Sequence, residues 1–250
     1  MRIDVNAYLG HHPFQRLRHN TPETLLRMMD KYAIDKACVV NLNAVFYKNC
    51  HNGNKELAKA ISSFKDRLIP FCVINPFYPG YEDDLKESLE SFGAKAIAIF
   101  PPLHNYTLMD ERLKNLLRKC QQKKLPVVLT EQFEDERQEH WLYKIPNVNT
   151  NDLKKMIEEN KEVKFVIRDA SDCLQKDKPN SDNCFFDSSR LPLAMDESSL
   201  ERLIKMSDKL LFGTRIPMKS PLSAIMRVDE SGFISTVRNK IYSENIMRIM

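Results

Sequence analysis

Short apolar runs alternate with longer amphipathic segments along the whole chain. Such runs, bounded by Gly, Pro or polar residues, are typical of strands that are buried on both faces of a parallel sheet. They predict eight strands, over Arg2–Leu9, Lys36–Leu42, Leu68–Ile74, Ala94–Phe100, Pro126–Thr130, Val163–Ile167, Cys184–Ser188 and Leu210–Phe212.

The segments between these runs predict helices. Thr21 is a good N-cap, and Pro22 suits the first helical position. Apolar stripes at helical spacing predict further helices over Asn54–Asp66, Tyr81–Phe92, Met109–Lys124, Asn151–Lys161, Glu197–Met206 and Ile234–Met250. Residues 171 to 183 are polar and indicate a surface loop or a poorly formed sixth helix.

Eight strands with helical crossovers predict a (β/α)₈ TIM barrel, as a single α/β domain over residues 1–250. A doubly wound open sheet is the alternative. The chain has only six glycines, and it has no dinucleotide fingerprint, Gly-rich phosphate loop or Ser-His-Asp set. These features disfavour a Rossmann-type sheet.

Charge and cysteine content exclude several classes of protein. The net charge is +4, and the basic residues are scattered among acidic ones, so we expect no nucleic-acid partner. The six cysteines have no close pairs, and Cys38 and Cys72 lie in apolar runs, which indicates buried thiols in a reducing compartment. No run is long enough to cross a membrane and no signal peptide opens the chain, so we expect a cytoplasmic protein without a membrane partner.

The last predicted strand ends in Phe212-Gly213-Thr214-Arg215-Ile216-Pro217. Residues just past the carboxyl end of a strand are where α/β barrels meet ligands, and Arg215 is such a residue. The segment resembles the last barrel strand of the amidohydrolase-related family, a metal-dependent branch of TIM-barrel hydrolases and decarboxylases. That family's motif reads Phe-Gly-Thr/Ser-Asp-x-Pro, and its Asp is the catalytic base and often a metal ligand. Here the frame is present and Arg215 replaces the acid.

The resemblance covers most of the chain, including Asp4-Val5-Asn6-Ala7-Tyr8-Leu9-Gly10, Phe71-x-x-Ile74-Asn75-Pro76, Leu125-Pro126-Val127 and Ile241-x-x-x-Asn245. It implies metal ligands of the form His-x-His on strand one, His after strands five and six, and Asp after strand eight. The matching positions here hold Asn6 and Tyr8, Thr130, Arg168 followed by Asp169, and Arg215. Asn and Tyr are poor zinc ligands and a guanidinium repels a divalent cation, so we expect no metal and no other cofactor.

Histidines elsewhere leave one alternative open. His11, His12, His104 and His140 follow predicted strands, and a rebuilt metal site would have to draw on them. None of them has ligand spacing with another, and loop histidines are more often surface residues.

Polar residues at the predicted strand ends form the candidate site. Two guanidinium groups, on Arg168 and Arg215, suit a planar carboxylate or a phosphate. Glu131 and Asp187 are candidates for a general acid or base, because a desolvated carboxylate near other charges can titrate close to neutral pH. The candidate catalytic residues are therefore Glu131, Asp187 and Arg215, and the candidate substrate-binding residues are Asn6, Tyr8, Thr130, Arg168 and Asp169.

The same residues also allow purely structural explanations. Acids and bases at neighbouring strand ends also form structural salt bridges, and Arg215 would then pair with Asp187 or Asp169. The charged segment Gln132–His140 is either the solvated start of a helix, which we favour, or a lid over the barrel mouth.

Three functions fit this pattern. The first is a metal-independent hydrolase or lyase that acts on a small carboxylate or phosphate compound, and the resemblance favours it. The second is a non-catalytic ligand-binding protein that has lost the metal site, and the third is a metal enzyme with relocated ligands. The resemblance also implies a homodimer, since family members are often dimers.

We predict that the purified protein carries no stoichiometric zinc, manganese or iron, because the five ligand positions, at four strand ends, hold residues that bind these ions poorly or repel them. Elemental analysis checks this. A stoichiometric metal that is lost together with activity on chelation would contradict it.

Overall fold

Eight parallel strands form one sheet in the computed structural model, which describes residues 1–134, 137, 139–170, 181–192 and 196–250. The strands are β1 (Ile3–Leu9), β2 (Lys36–Asn41), β3 (Leu68–Val73), β4 (Ala96–Ile99), β5 (Val127–Thr130), β6 (Phe165–Arg168), β7 (Cys184–Asp187) and β8 (Leu210–Leu211). Each strand pairs in parallel with the next one along the chain. The predicted (β/α)₈ barrel is confirmed.

Backbone hydrogen bonds close the barrel between its first and last strands. The Val5 N–H donates to the Phe212 carbonyl at 2.9 Å, and the Arg215 N–H donates to the Asn6 carbonyl at 2.8 Å. The sheet therefore has no open edge at β1, which removes a place where strands of other chains could pair.

A buried carboxylate reinforces this closure. Asp4 Oδ1 accepts the backbone N–H groups of Asn6 at 2.9 Å and Thr214 at 3.0 Å, and Asp4 Oδ2 accepts the Thr214 hydroxyl. Burial raises the pKa of Asp4 above its ordinary value. Because Asp4 lies on β1 and Thr214 follows β8, these bonds hold the two ends of the sheet in register.

Helices cover the outside of the barrel. They are α1 (Pro22–Lys31), α2 (Leu42–Phe46), α3 (Cys50–Ala60), α4 (Tyr81–Glu90), α5 (Glu111–Gln122), α6 (Thr150–Glu159), α7 (Glu197–Lys205), α8 (Pro221–Asp229), α9 (Ser235–Asn239) and α10 (Asn245–Ile249). A π-helical turn over Lys240–Glu244 joins α9 to α10, so the predicted closing helix is interrupted in its middle. Thr21 caps α1 as predicted.

Three helices differ from the prediction, and the first of them, α2, is absent from it. The third helix starts at Cys50, where the Asn49 side chain accepts the His51 N–H, and the polar start of this helix hides it from a search for apolar stripes. Gly53 is required there because α2 and α3 nearly touch: a Cβ on Gly53 would lie 2.2 Å from the Ala44 nitrogen. Helix α8 is absent from the prediction, although its buried positions recur at helical spacing.

The core has two layers that follow from alternation along the strands. On β4, Ala96 and Ala98 face the barrel interior, and Ile97 and Ile99 face the helices. Cys38 and Cys72 are buried, as their apolar surroundings predict, whereas Cys173 lies outside the described residues. Within the described ranges, no helix has both the length and the apolar character needed to cross a bilayer.

We predict that Thr214→Val lowers the free energy of unfolding by about 1–3 kcal/mol, because it leaves a buried Asp4 oxygen without its hydroxyl donor. Thr107→Val is the matched control, since Thr107 makes the same kind of bond to Asp110 on an exposed loop, and it should change stability by less than about 0.5 kcal/mol. Urea unfolding of both variants measures this, and equal losses would show that the barrel closure does not depend on the bond.

Candidate functional site

The side-chain amide of Asn6 connects the ends of three strands. Its Nδ2 donates to Asp187 Oδ2 at 2.7 Å and to Asp169 Oδ2 at 3.2 Å. The Ser189 hydroxyl lies 3.0 Å from Asp187 Oδ1 and 3.2 Å from Asp169 Oδ1, and the Asp169 N–H donates to Asp187 Oδ1 at 3.0 Å. Two buried carboxyl groups are thereby held side by side at the carboxyl end of the barrel.

A glycine makes room for one of these carboxyl groups. A Cβ on Gly213 would lie 2.5 Å from Asp187 Oδ2 and 2.9 Å from the Asp187 Cβ, so any larger residue at position 213 would clash with Asp187. The Gly213 N–H donates to the Ser188 hydroxyl oxygen at 3.3 Å. The glycine of the strand-eight motif is thus fixed by contact with Asp187.

The paired carboxyl groups change the chemistry of Asp187. Burial and the neighbouring Asp169 charge raise the pKa of Asp187 to about 7, while the hydrogen bonds from Asn6 and Ser189 oppose that shift. A carboxyl with such a pKa can hold or release a proton at neutral pH. This is the property that the sequence predicts for Asp187.

Arg168 ends β6 with its guanidinium completely buried. Its Nε donates to the Val5 carbonyl at 2.9 Å, and its guanidinium carbon lies 5.0 Å from the centre of the Tyr8 ring. Among the described residues, neither Nη1 nor Nη2 has a hydrogen-bond partner. Two charged donor groups therefore lie inside the barrel mouth without an acceptor.

Arg215 lies close to Asp169, and both have left-handed backbones. The Arg215 Nε is 3.6 Å from Asp169 Oδ1 but makes no hydrogen bond. The φ angles are +63° at Arg215 and +53° at Asp169. Residues other than glycine rarely adopt this left-handed backbone region. The Arg190 Nε also lies 3.6 Å from Asp169 Oδ1 without a hydrogen bond. Arg215 thus pairs loosely with Asp169, one of the two partners that the salt-bridge explanation names.

Tyr8 and Thr130 line the same mouth. Both side chains are buried, and neither hydroxyl has a partner in hydrogen-bonding geometry among the described residues, although Thr130 lies close to the Tyr8 hydroxyl. Burial raises the pKa of Tyr8, and the charges of Arg168, Asp169 and Arg215 act on its hydroxyl. The Tyr8 hydroxyl therefore remains a neutral group among these three charges.

The segment after β5 is placed differently from the prediction. The described part of this segment, which excludes residues 135, 136 and 138, does not form the start of a solvated helix. Its residues Phe133 and Glu134 are buried. The Phe133 ring contacts Tyr8 edge-on at 6.3 Å and stacks with His12 at 6.3 Å, and the His12 Nε2 lies 2.7 Å from Glu134 Oε1. Phe133 therefore covers the mouth, and helix α6 begins only at Thr150.

Glu131 is also buried at this end, and its backbone N–H donates to the Arg168 carbonyl at 3.0 Å. The structure thus places every candidate residue of the sequence prediction at the same end of the barrel. Their roles in binding and catalysis stay predictions.

Sequence reasoning missed Asp4 and Phe133, and it treated His12 as a surface residue, although His12 is buried. An irregularity of the strand register between Asp4 and Ala7 breaks the alternation of β1, so the two-residue period was no guide to the side chain of Asp4. No signal marks Phe133 either, because its neighbours are charged and the pattern indicates solvent exposure.

The histidines considered for a rebuilt metal site are spread out. His11 is exposed, His104 contacts the Val45 carbonyl, and His140 stacks on Phe14. In the part of the chain that the structure describes, no group of three or more His, Cys, Asp or Glu side chains is arranged to hold a metal ion.

Comparison with known proteins identifies the fold. No protein-family model and no curated protein sequence matches the chain. Among solved structures it is similar to 2,6-dihydroxybenzoate decarboxylase from Rhizobium, with a TM-score of 0.75 at 12% identity over 99% of this chain and 98% of that one.

Two further structures show the same likeness. A dihydroxybenzoic acid decarboxylase from Polaromonas with bound manganese and 2-nitroresorcinol has a TM-score of 0.75 at 13% identity, over 99% of this chain and 96% of that one. The 4-oxalomesaconate hydratase from Rhodopseudomonas palustris has a TM-score of 0.68 at 14% identity, over 100% and 95%. At these identities the likeness shows the fold, and it is the fold that the strand-eight motif implied.

We predict that Asp187 makes stability depend on pH. Its folded pKa of about 7 exceeds the ordinary value of 3.8, so the folded state binds this proton more tightly than the unfolded state. The resulting stabilisation is complete below about pH 4 and is lost as the pH rises toward 7.

Asp187→Asn removes this dependence, because an amide does not titrate. Urea unfolding of the parent protein and of this variant at pH 5 and pH 8 measures it. The free energy of unfolding of the parent, relative to that of the variant, should decrease from pH 5 to pH 8. An equal difference at both pH values would contradict the assignment.

Proposed function

We propose that the protein binds a small carboxylate compound at the carboxyl end of the barrel and acts on it as a hydrolase or lyase that needs no resident metal. One observation carries this proposal: the buried Arg168 guanidinium, whose two terminal nitrogens have no acceptor among the described residues. A planar carboxylate accepts two parallel hydrogen bonds from such a group.

The energetics of burial support a missing ligand. A buried charged donor without a partner costs more than about 1–3 kcal/mol, and a structural arginine normally finds acceptors. Asp169 and Asp187 do not fill that role, because they accept hydrogen bonds from Asn6 and Ser189 instead. A ligand carboxylate would supply the missing acceptors.

The solved structures of the same fold agree with this chemistry. They include decarboxylases named for dihydroxybenzoates and a hydratase named for oxalomesaconate. A site for a small carboxylate in this chain therefore has precedents on the same scaffold, although the fold alone does not assign a function.

A divalent ion such as the manganese of the Polaromonas decarboxylase does not fit the residues present here. The Asn6 amide, at one of the implied ligand positions, directs its donor nitrogen at the carboxyl groups of Asp169 and Asp187, and an N–H donor cannot coordinate a cation. The guanidinium groups of Arg168 and Arg215 add positive charge to the same mouth, and they would repel the ion. We therefore assign no step to a metal.

The chain's own groups offer a simple division of roles. Arg168 holds the carboxylate, and the neutral Tyr8 hydroxyl orients an oxygen of the ligand. Asp187 holds or delivers a proton near neutral pH, as its raised pKa allows. Glu131 is the second candidate for proton transfer, and Arg215 stabilises negative charge that develops on the reacting group.

One observation favours a second function, a ligand-binding protein without catalysis. Both Asp187 oxygens already accept hydrogen bonds from the protein. If those bonds persist when a ligand binds, Asp187 is structural. Asp187→Asn separates the two functions: an enzyme keeps binding and loses turnover, whereas a binding protein shows no turnover in the parent.

We predict that Arg168→Met abolishes carboxylate binding and costs the ligand-free protein about 1–3 kcal/mol at most, because among the described residues only Nε has an acceptor to lose, the Val5 carbonyl. A thermal-shift screen against small carboxylates, with and without the substitution, measures both quantities. A ligand at a hundred times its dissociation constant stabilises the parent by about 2.7 kcal/mol.

Asn115→Ala is a control at an exposed position of helix α5, on the outside of the barrel, and it should preserve every ligand shift. A large loss of stability in Arg168→Met together with unchanged ligand shifts would show that Arg168 is structural.

A further inference from the structure

We infer that the ligand carries two anionic groups, and that Arg190, together with Arg215, is the specificity residue that binds the second one. This inference rests on the proposed carboxylate site and adds a ligand class to it. The first group would bind Arg168, deep in the barrel.

Three buried acids at this end of the barrel, Asp4, Asp169 and Asp187, accept hydrogen bonds from neutral donors. Asp187 accepts three hydrogen bonds, from an amide side chain, a hydroxyl and a backbone N–H. Asp169 accepts two, from an amide and a hydroxyl, and Asp4 accepts two backbone N–H groups and a hydroxyl. None of these bonds comes from an arginine.

The side chains of Arg190 and Arg215, in contrast, have N–H donors that make no hydrogen bond to a described residue. A guanidinium carries five N–H donors. In the described part of the chain, the only hydrogen bond from the Arg190 side chain is a long one, 3.4 Å from Nη2 to the Gln132 carbonyl, and Arg215 has none from its side chain. Among the residues that the structure describes, their only anionic neighbour within ion-pair distance is Asp169, at 3.6 Å from each Nε.

One carboxylate oxygen thus faces two guanidinium groups that do not bond to it. Asp169 Oδ1 also receives the Ser189 hydroxyl, so it offers these groups little further acceptor capacity. A second anionic group placed against Arg190 and Arg215 would accept their free N–H donors, and Asp169 could keep its own bonds to Asn6 and Ser189.

Burial separates the two anion positions. Arg168 is completely buried, whereas 13% of the Arg190 side chain is exposed. Arg190 follows β7 and lies toward solvent, so a ligand held at Arg168 would present its outer end to Arg190. This arrangement selects a compound with an anionic group at each end.

The experiment compares ligands that differ only in the second group. Acetate and butyrate carry one carboxylate, malonate, succinate and glutarate carry two at increasing separation, and phosphonoacetate replaces one carboxylate by a phosphonate. Titration calorimetry measures their affinity for the full-length protein and for Arg190→Gln. Arg202→Gln, at an exposed arginine on α7, controls for the loss of one positive charge.

We expect the parent to bind at least one dianion more tightly than every monocarboxylate. Arg190→Gln should weaken that dianion about tenfold to a hundredfold, as expected for a lost charge-assisted hydrogen bond, and should leave monocarboxylate affinity unchanged. Arg202→Gln should preserve the preference. A larger Arg190 effect on phosphonoacetate than on malonate would identify the second group as a phosphate-like anion and would support the inference.

Monocarboxylate binding without a dianion preference in the parent would overturn this inference and leave the proposed function standing. Equal weakening of both ligand classes by Arg190→Gln would do the same. If Arg168→Met abolishes binding of all ligands while Arg190→Gln affects none, the second group is absent. If no carboxylate binds to the parent, both the proposed function and this inference are wrong.

Discussion

Two carboxyl groups buried side by side repel each other unless hydrogen bonds and a proton compensate, and the rest of the barrel mouth depends on how that is done here. The Asn6 amide donates to both acids, and the Ser189 hydroxyl lies between them. Because neutral groups supply the hydrogen bonds that Asp169 and Asp187 accept, the arginines around them make no hydrogen bonds to these acids. The same arrangement keeps a proton available near pH 7 and leaves positive charge for a ligand.

Backbone strain marks the same place. Asp169 and Arg215 both have left-handed backbones, each costing roughly 1–3 kcal/mol when the residue is not glycine, and strain of this kind clusters at functional sites. The Arg215 N–H also donates to the Asn6 carbonyl and so takes part in closing the barrel. One strained residue therefore serves the fold through its backbone and faces the mouth with its side chain.

Regular parts of this structure could be read from the sequence, and the irregular parts could not. Short apolar runs predict the eight strands, because a strand in a parallel sheet is buried on both faces. Apolar stripes at helical spacing predict helices between them. The placement of Arg168 and Asp187 followed from the rule that ligands meet strand ends. Phe133 was not predicted, since a single aromatic among charged neighbours turns inward only because Tyr8 and His12 supply rings to pack against. Hydrogen bonds such as those of Asn6 join residues far apart in the chain, and no local pattern encodes them.

The glycine at position 213 is required by a neighbouring strand and not by the charged residue that follows Thr214. Its missing side chain accommodates Asp187 on the neighbouring strand, with 2.5 Å between a hypothetical Cβ and Asp187 Oδ2. The space requirement at position 213 thus belongs to position 187 and is independent of the charge at position 215. The strand-eight segment therefore combines a steric pair, formed by residues 187 and 213, with a chemically independent position at residue 215. A change of charge at residue 215 leaves the contact between residues 187 and 213 in place.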